Sequence, residues 1–382
     1  MFKCAGFIFC SALVFLAGCA TSPSNDATEY PDNTPPPNWA GTNLAPRMAT
    51  VAATVPTNKP VTLPVKTSPA TRTNTVATNN AVVQRPPPIL TWTSLNHWAA
   101  EHHLAAAHRQ TDSPMATYGI RSANGIMTLA IGSREALWNG VEIHLGFEPE
   151  IIDGEIFLHG LDLQKNLEPL LCAPPLTFST NHVIVIDPGH GGMNGGTISV
   201  LDKRPEKEFT LDLARRLKPL LEQAGWKVFL TRTNDYDVAL SNRVAVAESH
   251  NADLFISLHF NSVAPDQKPS GLAIFCLTPT GMPSSVARDY PDFWSQNFPN
   301  NNYDEQNLQL SVRLQRAILQ APGMGMEDRG VNRARFMGVL RGQRRPSVLI
   351  EAGFLSNPHE ARRIEDPAFR QKLAEAISAA LK

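Results

Sequence analysis

Cysteine is scarce in this 382-residue chain, with five in all, and three of these, Cys4, Cys10 and Cys19, lie in the first nineteen residues. Cys172 and Cys276 remain, far apart and flanked by apolar residues. They predict buried thiols rather than a disulfide framework, although an oxidising compartment permits a bridge. An excess of either charge is also missing. Lys and Arg number 34 against 35 Asp and Glu, a formal net charge of −1, so no basic field draws a polyanion and nucleic acid is not an expected partner. Long hydrophobic runs are lacking too: Phe7 to Leu16 is too short for a stable membrane-spanning helix.

What is present at the start is an export signal, with Lys3 as its charged end and Phe7 to Leu16 as its apolar run. It ends in Leu16-Ala17-Gly18-Cys19, which resembles the bacterial lipoprotein cleavage box. That resemblance implies removal of residues 1–19 and lipidation of Cys19, and hence a lipid-anchored periplasmic protein. Ala20 and Thr21 lack the aspartate that retains many lipoproteins at the inner membrane, which implies the outer membrane. Residues 20–88 are rich in Pro, Thr, Ala and Asn, without hydrophobic period, and cannot bury enough surface to fold. They read as a tether able to reach on the order of 100 Å.

Residues 89–172 read as a small α+β unit. A helix starts after Ser94 as cap, and short strands are expected at Ala116–Ile120, Met127–Ile131 and Val141–Leu145. The pattern with Trp98, Tyr118, Gly132–Ala136 and Asn139-Gly140 loosely resembles copper-amine-oxidase N-terminal-like modules, without implying copper. His97, His102, His103 and His108 suggest a metal site, but a solvated helix face is the simpler reading.

From residue 181 to 382 strands alternate with helices, which predicts an α/β fold: a mostly parallel sheet covered by helices on both faces. Strands are expected at 183–186, 227–231, 253–259, 271–277, 336–340 and 347–350, and helices at 208–224, 241–250, 308–320 and 367–381. Pro219 predicts a kink or early end in the first helix. The stretch from Pro279 to Gln306, rich in Pro and Asn, reads as a loop or lid near the site.

Three strands end in chemistry. Val183–Ile186 leads into Asp187-Pro188-Gly189-His190-Gly191-Gly192, where glycines leave room around a histidine. Asp253–Leu258 leads to His259, and Ser347–Ile350 to Glu351. In open α/β sheets ligands bind outside the carboxyl ends of strands, so these three side chains are expected to meet there. Two histidines and a carboxylate suit a catalytic zinc with a fourth position for water. A further carboxylate from Arg204–Glu208, either Glu206 or Glu208, would complete the ligands and leave Glu351 as general base and acid. The same His, His and carboxylate set also describes non-haem iron, and a non-catalytic wall tether is a third class of reading.

Ile186–Gly192, Glu206-Lys207, Thr231–Asp235, Arg243, Ser257–Asn261 and Glu351–Asn357 together resemble the zinc-dependent N-acetylmuramoyl-L-alanine amidases of the Amidase_3 type. The resemblance covers about residues 182–382. It implies hydrolysis of the amide between N-acetylmuramic acid and L-alanine in peptidoglycan, with one zinc held by His190, Glu206 and His259. Glu351 is then the catalytic carboxylate, and Asn261 contacts substrate or orients its loop. The runner-up is another zinc peptidase cutting the peptide stem. Family members often carry a helix that occludes the zinc until a partner displaces it. The region Thr278 to Gln306 shows no such period, so an open or loop-gated site is expected, and the sequence identifies no activator protein.

Overall fold

A computed structural model of the chain describes residues 91–113, 115–179, 181–286 and 292–382. The export signal, Cys19 and the tether lie outside the described residues. The strands are β1 (Trp92–Ser94), β2 (His108–Thr111), β3 (Thr117–Arg121), β4 (Ile126–Ala130), β5 (Glu135–Trp138), β6 (Val141–His144), β7 (Glu150–Ile152), β8 (Glu155–His159), β9 (Val183–Pro188), β10 (Lys227–Leu230), β11 (Leu254–Asn261), β12 (Leu272–Cys276), β13 (Asp328–Arg333) and β14 (Ser347–Phe354). The helices are α1 (Leu95–Glu101), α2 (Gly160–Asp162), α3 (Glu206–Gln223), α4 (Leu240–Ser249), α5 (Asp304–Gln320), α6 (Gly338–Arg341), α7 (Pro358–Glu365) and α8 (Pro367–Ala380), with a π-helical segment at Leu163–Cys172. Among these, no helix is long and apolar enough to cross a membrane.

One sheet of eleven strands runs in the order β10-β9-β11-β14-β12-β13-β6-β5-β4-β3-β2, and β1-β8-β7 form a second. The mostly parallel sheet expected for residues 181–382 is matched in part, within a sheet that is mixed as a whole. β10, β9, β11 and β14 pair in parallel, as do β12 with β13 and β13 with β6. β12 runs antiparallel to β14, however, and β6 through β2 form an antiparallel meander. Helices do cover both faces. Ile184 and Ile186 of β9 pack into the core under α3, α5 and α8, whereas Val183 and Val185 face the smaller core under α4 and α6. A strand buried on both faces needs apolar residues at every position rather than at alternate ones, as Val183–Ile186 provides.

α3 shows how local signals compete. It runs through Pro219 to Gln223, so the expected early end does not occur. Its inner face, Leu213, Ala214, Leu217 and Leu221, is almost wholly buried, at about 1.5–3 kcal/mol per large side chain. Pro219 lies on the exposed side, where a carbonyl that loses its helical partner can be solvated rather than buried. The helix then stops before Gly225, whose φ of +94° is open to glycine.

Two other expectations are corrected. The apolar run 336–340 is not a strand; α6 takes up part of it, and the strand pairing with β12 is the polar Asp328–Arg333. Cys276 is buried as expected, but Cys172 is exposed, and both are free thiols.

Direction matters most at β12. Leu272 lies opposite Ala352 and Phe275 opposite Leu349, so β12 starts at the carboxyl end of β14 and leaves from the other. The segment after it is carried to the far end of the sheet, where Asn300 Nδ2 donates to the Arg345 carbonyl and to Ser347 Oγ at the start of β14. The described residues of the expected lid from Pro279 to Gln306 therefore follow from the end of the sheet opposite the strand ends that carry His190, His259 and Glu351. The connection that does lie beside them is the ten-residue stretch 262–271.

Candidate active site

Parallel pairing brings the expected residues together. β11 lies between β9 and β14, with Leu258 opposite Pro188 and His259 opposite Glu351. Adjacent strands stand about 4.8 Å apart, so the ends of all three face one crevice. The fourth residue comes from the first turn of α3: Glu206, only 1% exposed, reaches both histidines. Its Oε2 is 3.0 Å from His190 Nε2 and its Oε1 is 2.9 Å from His259 Nδ1. Of the two carboxylates considered in the sequence, Glu206 is thus the one that turns toward the histidines, while Glu208 is exposed. Backbone N–H groups of Thr197 and Phe260 donate to the two Glu206 oxygens at 3.1 and 3.0 Å, and fix the carboxylate.

Close approach is built into the backbone. A Cβ on Gly189 would stand 2.3 Å from His259 Cε1, and one on Gly196 would stand 2.5 Å from Glu206 Oε2 and 2.6 Å from His190 Cδ2. No real Cβ tolerates such distances, so these two glycines make the cradle. His190 itself has φ +62°, a left-handed conformation uncommon outside glycine. Its carbonyl accepts from Arg243 Nη2 at 2.8 Å, and Gly191 and Asn194 exchange backbone bonds beside it.

Beneath the turn lies a network of buried charge. Asp187 accepts from Thr231 Oγ1, Ser257 Oγ and Arg243 Nη1 at 2.5, 2.7 and 2.6 Å. Arg232, fully buried, donates to the carbonyls of Pro188, Gly189 and Lys207 at 3.0, 2.8 and 2.8 Å. Burial and the neighbouring Arg243 push its pKa down to about 10, which leaves it charged at neutral pH.

The titratable groups at the centre are set against each other. Burial would raise Glu206, but the facing histidines outweigh it and hold its carboxyl well below the usual range. Burial would lower His190, yet Glu206, with help from Asn194, raises it; His259 is lowered, chiefly by burial. Asn194 Oδ1 lies 2.9 Å from His190 Nδ1 and also accepts from Gly196 N–H at 3.2 Å, which fixes the amide orientation. Nδ1 must then carry the ring proton. His190 Nε2 consequently faces an ionised carboxylate, an arrangement that calls for a second proton or for a metal ion. The donor atoms of His190, Glu206 and His259 lie within 4.8 Å of one another. Two imidazoles and one carboxylate, anchored by an outer hydrogen bond, fit a divalent metal of the zinc kind.

Asn194, Asp187, Arg232 and Arg243 had no assigned role in the sequence reading. Asn194 was detectable as a polar residue in the glycine-rich turn, but its partner follows only from the fold. Asn261 is buried; its Oδ1 accepts from Ser262 N–H at 2.7 Å and its carbonyl from Leu355 N–H at 2.8 Å, which orients the loop after His259. The N-terminal histidines do not converge. His97 faces Glu101, and His102 stacks on Trp98.

Residues 184–382 match the Amidase_3 family, described as N-acetylmuramoyl-L-alanine amidase. The chain belongs to this family. It is similar to N-acetylmuramoyl-L-alanine amidase AmiC of Escherichia coli O6:H1, 33% identical over 245 residues, covering 58% of this chain and 58% of that protein. It is also similar to AmiA of Escherichia coli K12, 32% identical over 215 residues, covering 51% of this chain and 73% of AmiA. Among solved structures, AmiC2 of Nostoc punctiforme is 30% identical, with 53% of this chain and 96% of that chain covered at a TM-score of 0.43. The match to AmiC thus spans little more than half of that protein's length.

Proposed function

We propose that the chain hydrolyses the amide joining N-acetylmuramic acid to L-alanine in peptidoglycan and so frees intact stem peptides. The observation that carries this reading is the convergence of His190, Glu206 and His259 with Glu351 in register beside them, in a chain of the amidase family. The first three residues would hold one zinc ion. Zinc, when bound, supplies Lewis acidity that makes water a usable nucleophile near neutral pH. Glu351, 7% exposed on β14, takes the proton from the attacking water and delivers it to the departing nitrogen. The C–O bond forms as the C–N bond breaks, leaving a lactyl carboxylate on the sugar and a free amine on alanine. Asn194 keeps His190 in the tautomer that presents Nε2, and Asn261 flanks the crevice to contact substrate.

The remainder of the layout is part of the same proposal. Residues 1–19 direct export, Cys19 carries lipid in the periplasm, at the outer membrane, and residues 20–88 let the catalytic region, residues 181–382, reach the wall. The supporting feature is Leu16-Ala17-Gly18-Cys19, and Cys19→Ala should release the protein from the membrane fraction.

Mass spectrometry of soluble products tests the chemistry. Purified peptidoglycan is incubated with the zinc-loaded protein, with Glu351→Gln and with His190→Ala. Intact stem peptides from the parent alone are expected. Cleavage inside the stem would replace the amidase with a peptidase, and equal release by Glu351→Gln would remove Glu351 from the mechanism.

A further inference from the structure

A second cluster of metal-ligating side chains lies on the β5–β6 hairpin, far along the sheet from the crevice. Glu135 and His144 are directly opposite each other across the two strands, and Glu142 precedes His144 by two residues on the same face. One ligand atom from each lies within 4.8 Å of the others. His144 Nδ1 is 3.3 Å from the Val331 carbonyl on β13. A carbonyl only accepts, so Nδ1 carries the proton and the Nε2 lone pair is presented to the carboxylates. That atom stands 3.7 Å from Glu142 Oε1, too far for a hydrogen bond. Two ligands about 2.1 Å from one tetrahedral ion stand roughly 3.4 Å apart, however, so the spacing is close to that of a shared metal.

The electrostatics agree. Burial disfavours the charged form of the His144 imidazole. Burial, then Glu135 and Asp328, pushes Glu142 up to about 7, against the opposing field of Arg329. The Asp328 carboxylate lies beside it, accepting from Glu142 N–H at 3.0 Å. The geometry places two carboxyl groups and an imidazole lone pair around one point that a cation can share. A His144 whose other nitrogen is tied to a backbone carbonyl is also the usual outer arrangement of a metal-bound histidine.

We propose that Glu135, Glu142 and His144 form a second divalent metal site, suited to zinc by its mixed nitrogen and oxygen donors. It sits at the seam where β6 meets β13, which pair in register only at Val331 and Ile143. An ion there ties β5 to β6 next to that seam and neutralises the glutamates facing it. The role is structural and separate from catalysis.

The test is zinc content, together with a zinc titration, on the full chain dialysed against metal-free buffer after loading. The parent is expected to hold two equivalents, and Glu135→Gln, His144→Ala and His190→Ala one each. Glu135 is exposed, so its variant keeps the proposal testable even if His144→Ala fails to fold. In the titration the second event should weaken at least tenfold in Glu135→Gln but persist in His190→Ala, and amide hydrolysis should be unchanged in Glu135→Gln. Magnesium, which prefers oxygen donors and keeps its waters, should not replace zinc. A single equivalent in the parent, or a second equivalent that both hairpin substitutions leave intact, overturns the site. Loss of zinc from His190→Ala alone bears on the catalytic centre and not on this one.

Discussion

Asp187 is the residue on which the shape of the catalytic turn depends, and Asp187→Asn tests that dependence with almost no change in volume. The carboxylate is 1% exposed and Arg243 5%, and their contact is 2.6 Å. Substitution removes the counter-charge of a buried guanidinium and turns an NH2 group toward donors that had an acceptor. Removing one partner of a buried ion pair costs about 3–5 kcal/mol. Arg243 keeps the carbonyls of Pro188 and His190, so the lower end, about 3 kcal/mol, is expected. At about 2–4 °C per kcal/mol for domains of 150–250 residues, the melting temperature should fall by about 6–12 °C. The assay is thermal unfolding followed by circular dichroism, repeated across pH. At Asp187 burial alone would raise the pKa, but Arg243 and the two hydroxyls outweigh it and hold it below the ordinary value. A folded pKa below the unfolded value, about 3.9, gives stability that is complete above that pH and lost as pH falls through the folded value. The parent should lose stability in that acid window, and the variant should lack that part of the loss. An Asp187→Asn protein melting within about 1 °C of the parent would refute the reasoning, because the ion pair would then contribute well under 1 kcal/mol.

Gly196→Ala should lower zinc affinity sharply and with it activity at limiting metal, since the new methyl would meet Glu206 Oε2 at 2.5 Å from a backbone at φ +72°; competition against a zinc dye measures it, and parent-like affinity would remove the cradle from the account. Asn194→Ala should weaken zinc binding about 10–100-fold by freeing the His190 tautomer, with kcat restored at saturating zinc; a kcat that stays low would mean Asn194 acts elsewhere.

The site was legible because its chemistry sits on elements with strong local signals. Val183–Ile186, Leu254–Ile256 and Val348–Ile350 are apolar at consecutive positions, and each run leads to a polar residue at the strand's end that a buried strand would not otherwise carry. Glu206 was less legible. Its distance in sequence from His190 said nothing about whether it or Glu208 turns inward; the start of α3, where Glu206 N–H donates to the Thr197 carbonyl at 2.8 Å, decides it. The network of Arg232, Arg243, Asp187 and Ser257 was invisible because bonds within it join segments as much as 22 to 70 residues apart, whereas Asn194 is only four residues from His190 and its pairing depends on the fold of the turn.

The missed parts of the fold share a physical cause: polar residues buried by pairing rather than by hydrophobicity. β13 reads Asp328-Arg329-Gly330-Val331-Asn332-Arg333, with only Val331 to mark it as core. Yet Asn332 Nδ2 donates to the Arg329 carbonyl at 2.9 Å, and Arg333 Nη2 donates to Asn166 Oδ1 at 3.0 Å, so these two buried nitrogens keep partners inside the fold. The consequence reaches the candidate site. With 336–340 taken as a strand, nothing indicates that β12 reverses direction, and the segment following it is expected over His190, His259 and Glu351. Because β12 is antiparallel to β14, the described residues of the Pro279–Gln306 stretch follow from the far end of the sheet. Among the described residues the turn 190–197, which begins at His190, and the connection 262–271, which follows Asn261, are the segments beside the strand ends that carry those three residues.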